Sequence, residues 1–461
     1  MLPTSFKNQH IAIFGLGIEG IDMFKFLSDE GAIITVIDKG PIKKIQKTLD
    51  NFADYKFNLH IGKISEKNLQ GIKYAFISQG IPLKSDQIAL VHQKNISISS
   101  MTNLFFDRCK SPIIGITGSS GKTTTTSIIK AIFEESNVEH VVGGNIGIGM
   151  LGLLDRINKN TKVVLELSHT QLQLLTKSPE ISCITNITPN HLDNFSWHEY
   201  VQLKHKIMLF QKKNDHVIIN LDDKTSQDFI KNAAAQISYF STSAEAQIEN
   251  GAFIDQDGFL TYKKNNNSTK IIHRDEIILK GIHNISNTLS AIIIAQILGI
   301  GAQECKKSIA KFHGIEHRIE TVAIRNNIEF INDSIATTPA RTSTALKAID
   351  KKAILLMGGR DKNLEFGDLS IHIQEKCRFV ILFGESRKKF LRQLQSVNID
   401  ILEVITLKEA IELACNIARS GECILLSPGG TSFDQFENYA ERGIFFKKLA
   451  KQFYQEWTDN E

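Results

Sequence analysis

The stretch Ile113-Ile114-Gly115-Ile116-Thr117-Gly118-Ser119-Ser120-Gly121-Lys122-Thr123-Thr124 governs the reading of this chain. An Ile-rich run closed by Gly and Ser predicts a buried strand, and residues 122–134 predict a helix. A glycine turn between the two gathers backbone N–H groups at the helix N-terminus, which is a cradle for phosphate. Lys122 adds a cation for the outer phosphates and Thr123 a hydroxyl for Mg2+. The spacing is shorter than the standard P-loop, because Ile116 stands where that motif opens with glycine. Gly118, Ser119, Ser120, Gly121, Lys122, Thr123 and Thr124 are therefore expected to bind a mononucleotide triphosphate; the bland alternative is a Ser/Thr-rich turn.

A second cradle lies upstream. Gly15-Leu16-Gly17-Ile18-Glu19-Gly20 follows the apolar run 11–14 and opens a helix reaching about residue 29, and Asp38 closes the next run. Strand, glycine loop, helix and a delayed acid make the context in which G-x-G-x-x-G binds a diphosphate. The ligand is a dinucleotide or a nucleotide sugar, and on this motif alone NAD is favoured. Without a ligand, Gly17 and Gly20 would only permit close helix–strand packing. Two phosphate cradles in one chain weigh against a dehydrogenase.

Outward from these motifs the chain of 461 residues reads as three α/β blocks. Strands are predicted at 11–14, 33–37, 74–78 and 96–99, then at 113–117, 163–167, 182–187 and 216–220, with long helices at 197–211 and 284–298. A third set follows at 328–331, 353–357, 379–383 and 423–426. The expected domains are 1–109, 110–314 and 315–461: a Rossmann-like N-terminal domain, a P-loop-type central ATPase domain and a Rossmann-like C-terminal domain. The polar, Asn-containing stretch 239–276 reads as a small antiparallel insertion.

Hydrophobic residues are 42% and charged residues 23%, which permits a sizeable core and excludes a disordered chain. A net charge of +4 without a long basic block nominates no nucleic acid. The six cysteines form no C-x-x-C pair and read as free thiols in a reducing compartment. No apolar run reaches the ~20 residues of a membrane span, and no signal segment is apparent, so a cytoplasmic protein is expected. No obligate interface is indicated, which leaves a monomer as the expectation.

Chemistry-bearing side chains cluster around the central motif. Glu166 ends a predicted strand, where a carboxylate can hold the Mg2+ of a bound triphosphate. His191 follows the next strand, in the crevice where α/β sheets bind ligands; alone it would more often be a surface residue. Trp197, Tyr200, Val201, Lys204, Ile207 and Met208 fall on one helical stripe, which puts Lys204 on an apolar face. Such a lysine usually snorkels to water, yet desolvation lowers its pKa and lets the amine capture CO2 as a carbamate. A carbamate could hold a second Mg2+.

The ordered strings starting at Gly115, Gly143 (Gly-Gly-Asn-Ile-Gly), Glu166 (Glu-Leu-Ser), Asn186 (Asn-Ile-Thr-Pro-Asn-His-Leu-Asp), His283 (His-Asn-Ile-Ser-Asn), His317 (His-Arg-Ile-Glu), Asn332 (Asn-Asp-Ser) and Ser432 (Ser-Phe-Asp-Gln-Phe) resemble the Mur ligases. These are the ATP-dependent amide ligases of peptidoglycan precursor synthesis. The N-terminal glycine motif and the string 432–443 are similar to the D-glutamate-adding branch, and the D-N-P-R signature of the diaminopimelate/lysine branch is absent. The resemblance implies UDP-N-acetylmuramoyl-L-alanine and D-glutamate as substrates, ATP and two Mg2+ sites as cofactors, and an acyl-phosphate intermediate.

By position, the resemblance implies catalytic roles for Lys122, Glu166, His191 and Lys204, and metal ligation by Thr123, Glu166, His191 and carbamylated Lys204. Asn284, Asn287, Arg318 and Asp333 would surround adenosine. Gly15, Gly17, Ile18, Glu19, Gly20, Asp38, Gly80, Asn145 and Ser168 would receive the UDP-linked acceptor. Thr337, Lys362, Ser432, Phe433 and Tyr439 would hold D-glutamate, donors suited to a dianion. Three positions depart from the pattern: Ile335 replaces a lysine, Glu19 takes a loop position usually held by a small hydroxylated residue, and His169 enters the Glu-Leu-Ser string. The alternatives are a ligase of the same superfamily with another amino acid, a nicotinamide-dependent oxidoreductase, and a non-catalytic nucleotide sensor.

Overall fold

The structure is a computed structural model that describes residues 2–52, 54–145, 149–190, 192, 194–279, 281–361, 365–395 and 397–456. Among the described residues, three sheets account for twenty strands. β1 (His10–Phe14), β2 (Ile33–Asp38), β3 (Phe57–Ile61), β4 (Tyr74–Ile77) and β5 (Ser97–Ser99) form a parallel sheet in the order β3-β2-β1-β4-β5. The order reverses between β1 and β4, so the loops after those strands open a crevice at the switch point. The Ile18–Asp29 helix covers one face: Met23, Phe24 and Leu27, at helical spacing, are fully buried with Ile11, Ile13 and Val36. Each such side chain stabilises the layer by about 1.5–3 kcal/mol.

The second sheet is built from β6 (Ile113–Thr117), β7 (His140–Gly144), β8 (Lys162–Glu166), β9 (Ile181–Ile184), β10 (His216–Asn220), β11 (Gln236–Ser241), β12 (Gly251–Ile254), β13 (Phe259–Lys264) and β14 (Asn267–His273), ordered β14-β13-β12-β11-β10-β9-β6-β8-β7. The stretch 239–276 is not a separate antiparallel insertion. β11 and β12 pair in parallel with the strands before them, and only β13 and β14 turn antiparallel. The cause is a hidden apolar face: Phe240, Ala252 and Leu260 are fully buried in one cluster with Leu289 and Ile292 of the Ile282–Ile297 helix.

The third sheet comprises β15 (Glu320–Arg325), β16 (Ile328–Asn332), β17 (Ala353–Gly358), β18 (Cys377–Phe383), β19 (Asp400–Glu403) and β20 (Cys423–Gly429), ordered β15-β16-β20-β17-β18-β19. It is parallel except for the edge strand β15. The chain divides into two compact units, 1–312 with the first two sheets and 313–461 with the third. All six cysteines are free thiols.

Candidate active site

The loop after β6 is held open by a close approach that only glycine allows. Gly118 has φ +152°, and a Cβ there would stand 1.9 Å from Thr185 Oγ1. Thr185 Oγ1 donates to Ser120 O at 2.6 Å, while Ser119 Oγ donates to Thr188 O at 2.9 Å and meets Tyr200 OH at 3.0 Å. The loop is therefore stitched to the segment after β9. Lys122 begins the helix Lys122–Glu135, and its Nζ donates to Gly118 O at 2.8 Å. Thr123 and Thr124 stand half-buried in the same first turn. Asn287 Oδ1 backs this loop, accepting from Thr125 Oγ1 at 3.4 Å, and Asn284 lies one turn earlier on its helix.

Lys204 is 1% exposed, on the Trp197–Leu209 helix that Ser196 and Glu199 cap. Its Nζ donates to Thr117 Oγ1 at 3.0 Å and sits 5.5 Å from the centre of the Tyr200 ring. Burial holds this amine well below the usual lysine range, helped by the nearby Lys122 charge and opposed by Glu166. Glu166, 2% exposed at the end of β8, accepts from Asn145 Nδ2 at 3.2 Å through Oε1. Its Oε2 is buried with no hydrogen-bond partner among the described residues. A buried carboxylate oxygen left over in this way fits a cation ligand. Gly118, Lys122, Asn145, Ser168, His169 and Lys204 all line one cleft of about 200 Å³.

A larger cleft of about 450 Å³ opens at the switch point of the first sheet, lined by Gly15, Gly17, Ile18, Glu19, Asp38, Gly80 and Asn145 among others. Asp38 secures the loop, its two oxygens accepting from Leu16 N at 2.6 Å and Gly40 N at 2.7 Å. Glu19 is not in a loop: it sits in the first turn of the Ile18–Asp29 helix and is 7% exposed. Its carboxylate accepts from Gln79 N at 3.0 Å and Gln171 Nε2 at 3.1 Å. Burial pushes this carboxyl above its ordinary range despite both bonds, and Asp22 adds to the rise. Ser168 caps the short helix His169–Leu172, its hydroxyl accepting from Gln171 N at 3.2 Å.

Within the second unit, Asp333 follows β16 and accepts from Ser427 Oγ at 2.7 Å and Ile319 N at 3.2 Å. Burial pushes its carboxyl up to about 7. Arg318 precedes β15, and Ile335 N donates to His317 O at 3.1 Å. Thr337 is half-buried and Ser432 is buried, whereas Phe433 and Tyr439 are exposed. His191 and Lys362, both expected at the site, lie outside the described residues.

Sequence reasoning assigned no site role to Gln79, Gln171, Tyr200 or Arg442. Gln79 and Asn145 line both clefts. A signal for Gln79 existed, since it lies two residues past the end of β4, one of the two strands at the switch point. Arg442 is fully buried and donates to Ser334 O at 2.9 Å and Gly430 O at 3.1 Å, tying the segment after β16 to the loop after β20. Its hydrogen bonds are long-range, so nothing local announced them.

Comparison with known proteins covers most of the chain. Residues 9–100 match a Mur ligase MurD-like N-terminal domain, 116–295 the Mur ligase middle domain, and 317–430 the Mur ligase glutamate ligase domain. The UDP-N-acetylmuramoylalanine–D-glutamate ligase of Acetivibrio thermocellus is 34% identical over 453 residues, 96% of each chain. That of Clostridium botulinum is 34% identical over 451 residues, 96% of this chain and 97% of its own. The crystal structure of UDP-N-acetylmuramate-alanine ligase from Thermotoga maritima, 18% identical, superposes with a TM-score of 0.51 over 98% of this chain and 100% of that one, a likeness of fold.

Proposed function

Because the chain belongs to the Mur ligase family, we infer that it is an ATP-dependent ligase joining D-glutamate to UDP-N-acetylmuramoyl-L-alanine in peptidoglycan precursor synthesis. The observation that carries this reading is the near full-length match to ligases of that name. The reaction couples ATP cleavage to amide formation and yields ADP and phosphate. A cytoplasmic location belongs to the reading because ATP is a substrate, and no described helix is long and apolar enough to cross a membrane.

The geometry supports a division of labour. An acceptor with a diphosphate at one end and a carboxylate at the other suits two adjoining clefts that share Gln79 and Asn145. The glycine loop 15–20 with Gly80 takes the nucleotide, and Asn145 and Ser168 flank the path to the phosphate loop. The acceptor carboxylate attacks the γ-phosphorus of ATP, ADP departs, and an acyl phosphate forms. The D-glutamate amine then attacks the acyl carbon, phosphate leaves, and the amine proton is lost to give the amide. Lys122 and the N–H groups of 118–124 balance charge on the transferring phosphoryl group. Asn284, Asn287, Arg318 and Asp333 hold the nucleoside; Thr337, Lys362, Ser432, Phe433 and Tyr439 hold D-glutamate.

The buried Glu166 Oε2, without a hydrogen-bond partner among the described residues, supports a Mg2+ ligand there, and the Thr123 hydroxyl is the second group assigned to that ion; bound Mg2+ would neutralise charge on the triphosphate. A second site formed by His191 and carbamylated Lys204 is part of the proposal. It is supported by the desolvated Lys204 amine, which can add to CO2 and release a proton. Phosphate release from Mg-ATP with the acceptor, measured against D-glutamate, L-glutamate, L-alanine, L-lysine and diaminopimelate, tests the whole reading. Release with D-glutamate alone, and a product heavier by one glutamate residue, is the expected result. Release with a different amino acid would keep the mechanism and overturn the substrate.

A further inference from the structure

Gln79 occupies a place in the clefts that neither the glycine motifs nor the phosphate loop accounts for. Its backbone N–H is committed to Glu19 Oε2 at 3.0 Å, and its side-chain oxygen accepts from Thr170 Oγ1 at 2.7 Å and Ser168 Oγ at 3.2 Å. Glu19 in turn accepts from Gln171, so the residue is clamped from both the first and the second sheet's elements. No described residue accepts from the Gln79 amide nitrogen. The side chain is half-buried and lines both the 450 Å³ nucleotide cleft and the 200 Å³ phosphate-loop cleft. A clamped amide with its oxygen fixed and its two N–H donors uncommitted is a preorganised donor to a ligand oxygen.

We propose that Gln79 is a substrate-positioning residue that donates a hydrogen bond to the acceptor between its diphosphate and its reacting carboxylate. This rests on the functional reading above, in which the acceptor spans both clefts. The chemistry recognised is a carbonyl or ether oxygen of the sugar-peptide portion, beyond the UDP moiety. Ser168 and Thr170 act behind Gln79 by fixing its side-chain oxygen, and Glu19 by holding its backbone N–H.

The test is calorimetric binding to the full chain, with UDP and UDP-N-acetylmuramoyl-L-alanine as separate probes. Gln79→Leu and Gln79→Ala are expected to bind UDP as wild type does and the acceptor roughly 3- to 10-fold more weakly, the loss of one neutral hydrogen bond. KM for the acceptor should rise in step while KM for ATP stays put. Equal acceptor affinity in wild type and variants would overturn the proposal. So would a parallel fall in UDP affinity, which would mark Gln79 as a support for the loop. Wild-type protein that bound UDP but not the acceptor would instead remove the functional reading, and the proposal with it.

Discussion

A lysine buried with one hydroxyl as its hydrogen-bond partner among the described residues costs stability, and Lys204 is such a residue. Its depressed folded pKa fixes the sign of the pH effect. Between that value and the unfolded value near 10.4, the unfolded chain binds the proton more tightly, so stability rises with pH across this window. In CO2-depleted buffer, Lys204→Met is therefore expected to flatten that rise and to increase the thermal midpoint at pH 7 by roughly 2 °C or more. The same variant should lose at least about 100-fold in phosphate release, because a thioether cannot carry a carbamate. Thermal scans from pH 7 to 10 and a release assay check both halves. A variant with wild-type turnover would sink the role given to Lys204, while one that is inactive and destabilised would show the amine to be better satisfied than its geometry indicates.

At the scale of elements, the strand-loop-helix units carry the sites, and Gly20 shows how tightly they are built. A Cβ at Gly20 would lie 1.9 Å from Gly15 O, so the Ile18–Asp29 helix rests on the glycine loop at a distance that only hydrogen permits. Gly20→Ala should push the helix off the loop, cost about 1–3 kcal/mol in urea unfolding, and raise KM for the acceptor more than KM for ATP. An unchanged acceptor KM would separate the helix packing from the site. These units were legible in the sequence because their chemistry is local: an apolar run, a glycine loop, a helix. β3, Phe57-Asn58-Leu59-His60-Ile61, and β19, Asp400-Ile401-Leu402-Glu403, were not read, since each lies at a sheet edge and keeps polar residues facing outward. The clamp on Gln79 was equally hidden, because Thr170 comes to it from 91 residues away. Glu19 read as a loop contact with the nucleotide, whereas its two carboxylate oxygens are taken by Gln79 and Gln171.

For the whole molecule, the division at residue 312 sets which parts of the chemistry travel together. Both clefts, with the glycine loop, Gln79, Asn145 and Lys204, are lined by residues of the first unit, which also holds Glu166. Arg318, Asp333, Thr337 and Ser432, proposed for adenosine and D-glutamate, belong to the second. The first unit buries its own cores, including the clusters around Phe24 and around Leu289, and a unit of that size exceeds what independent folding requires. Residues 1–312 produced alone are therefore expected to unfold cooperatively and to bind UDP-N-acetylmuramoyl-L-alanine within about threefold of the full chain, yet to release no phosphate from ATP when D-glutamate is added. Circular dichroism melts, calorimetry and the release assay measure the three properties on one preparation. If the fragment is folded but has lost the acceptor by more than tenfold, the acceptor site needs groups from the second unit, and the assignment of Thr337 and Ser432 to D-glutamate alone falls. If it binds and still turns over, the second unit is not the source of the amino-acid site.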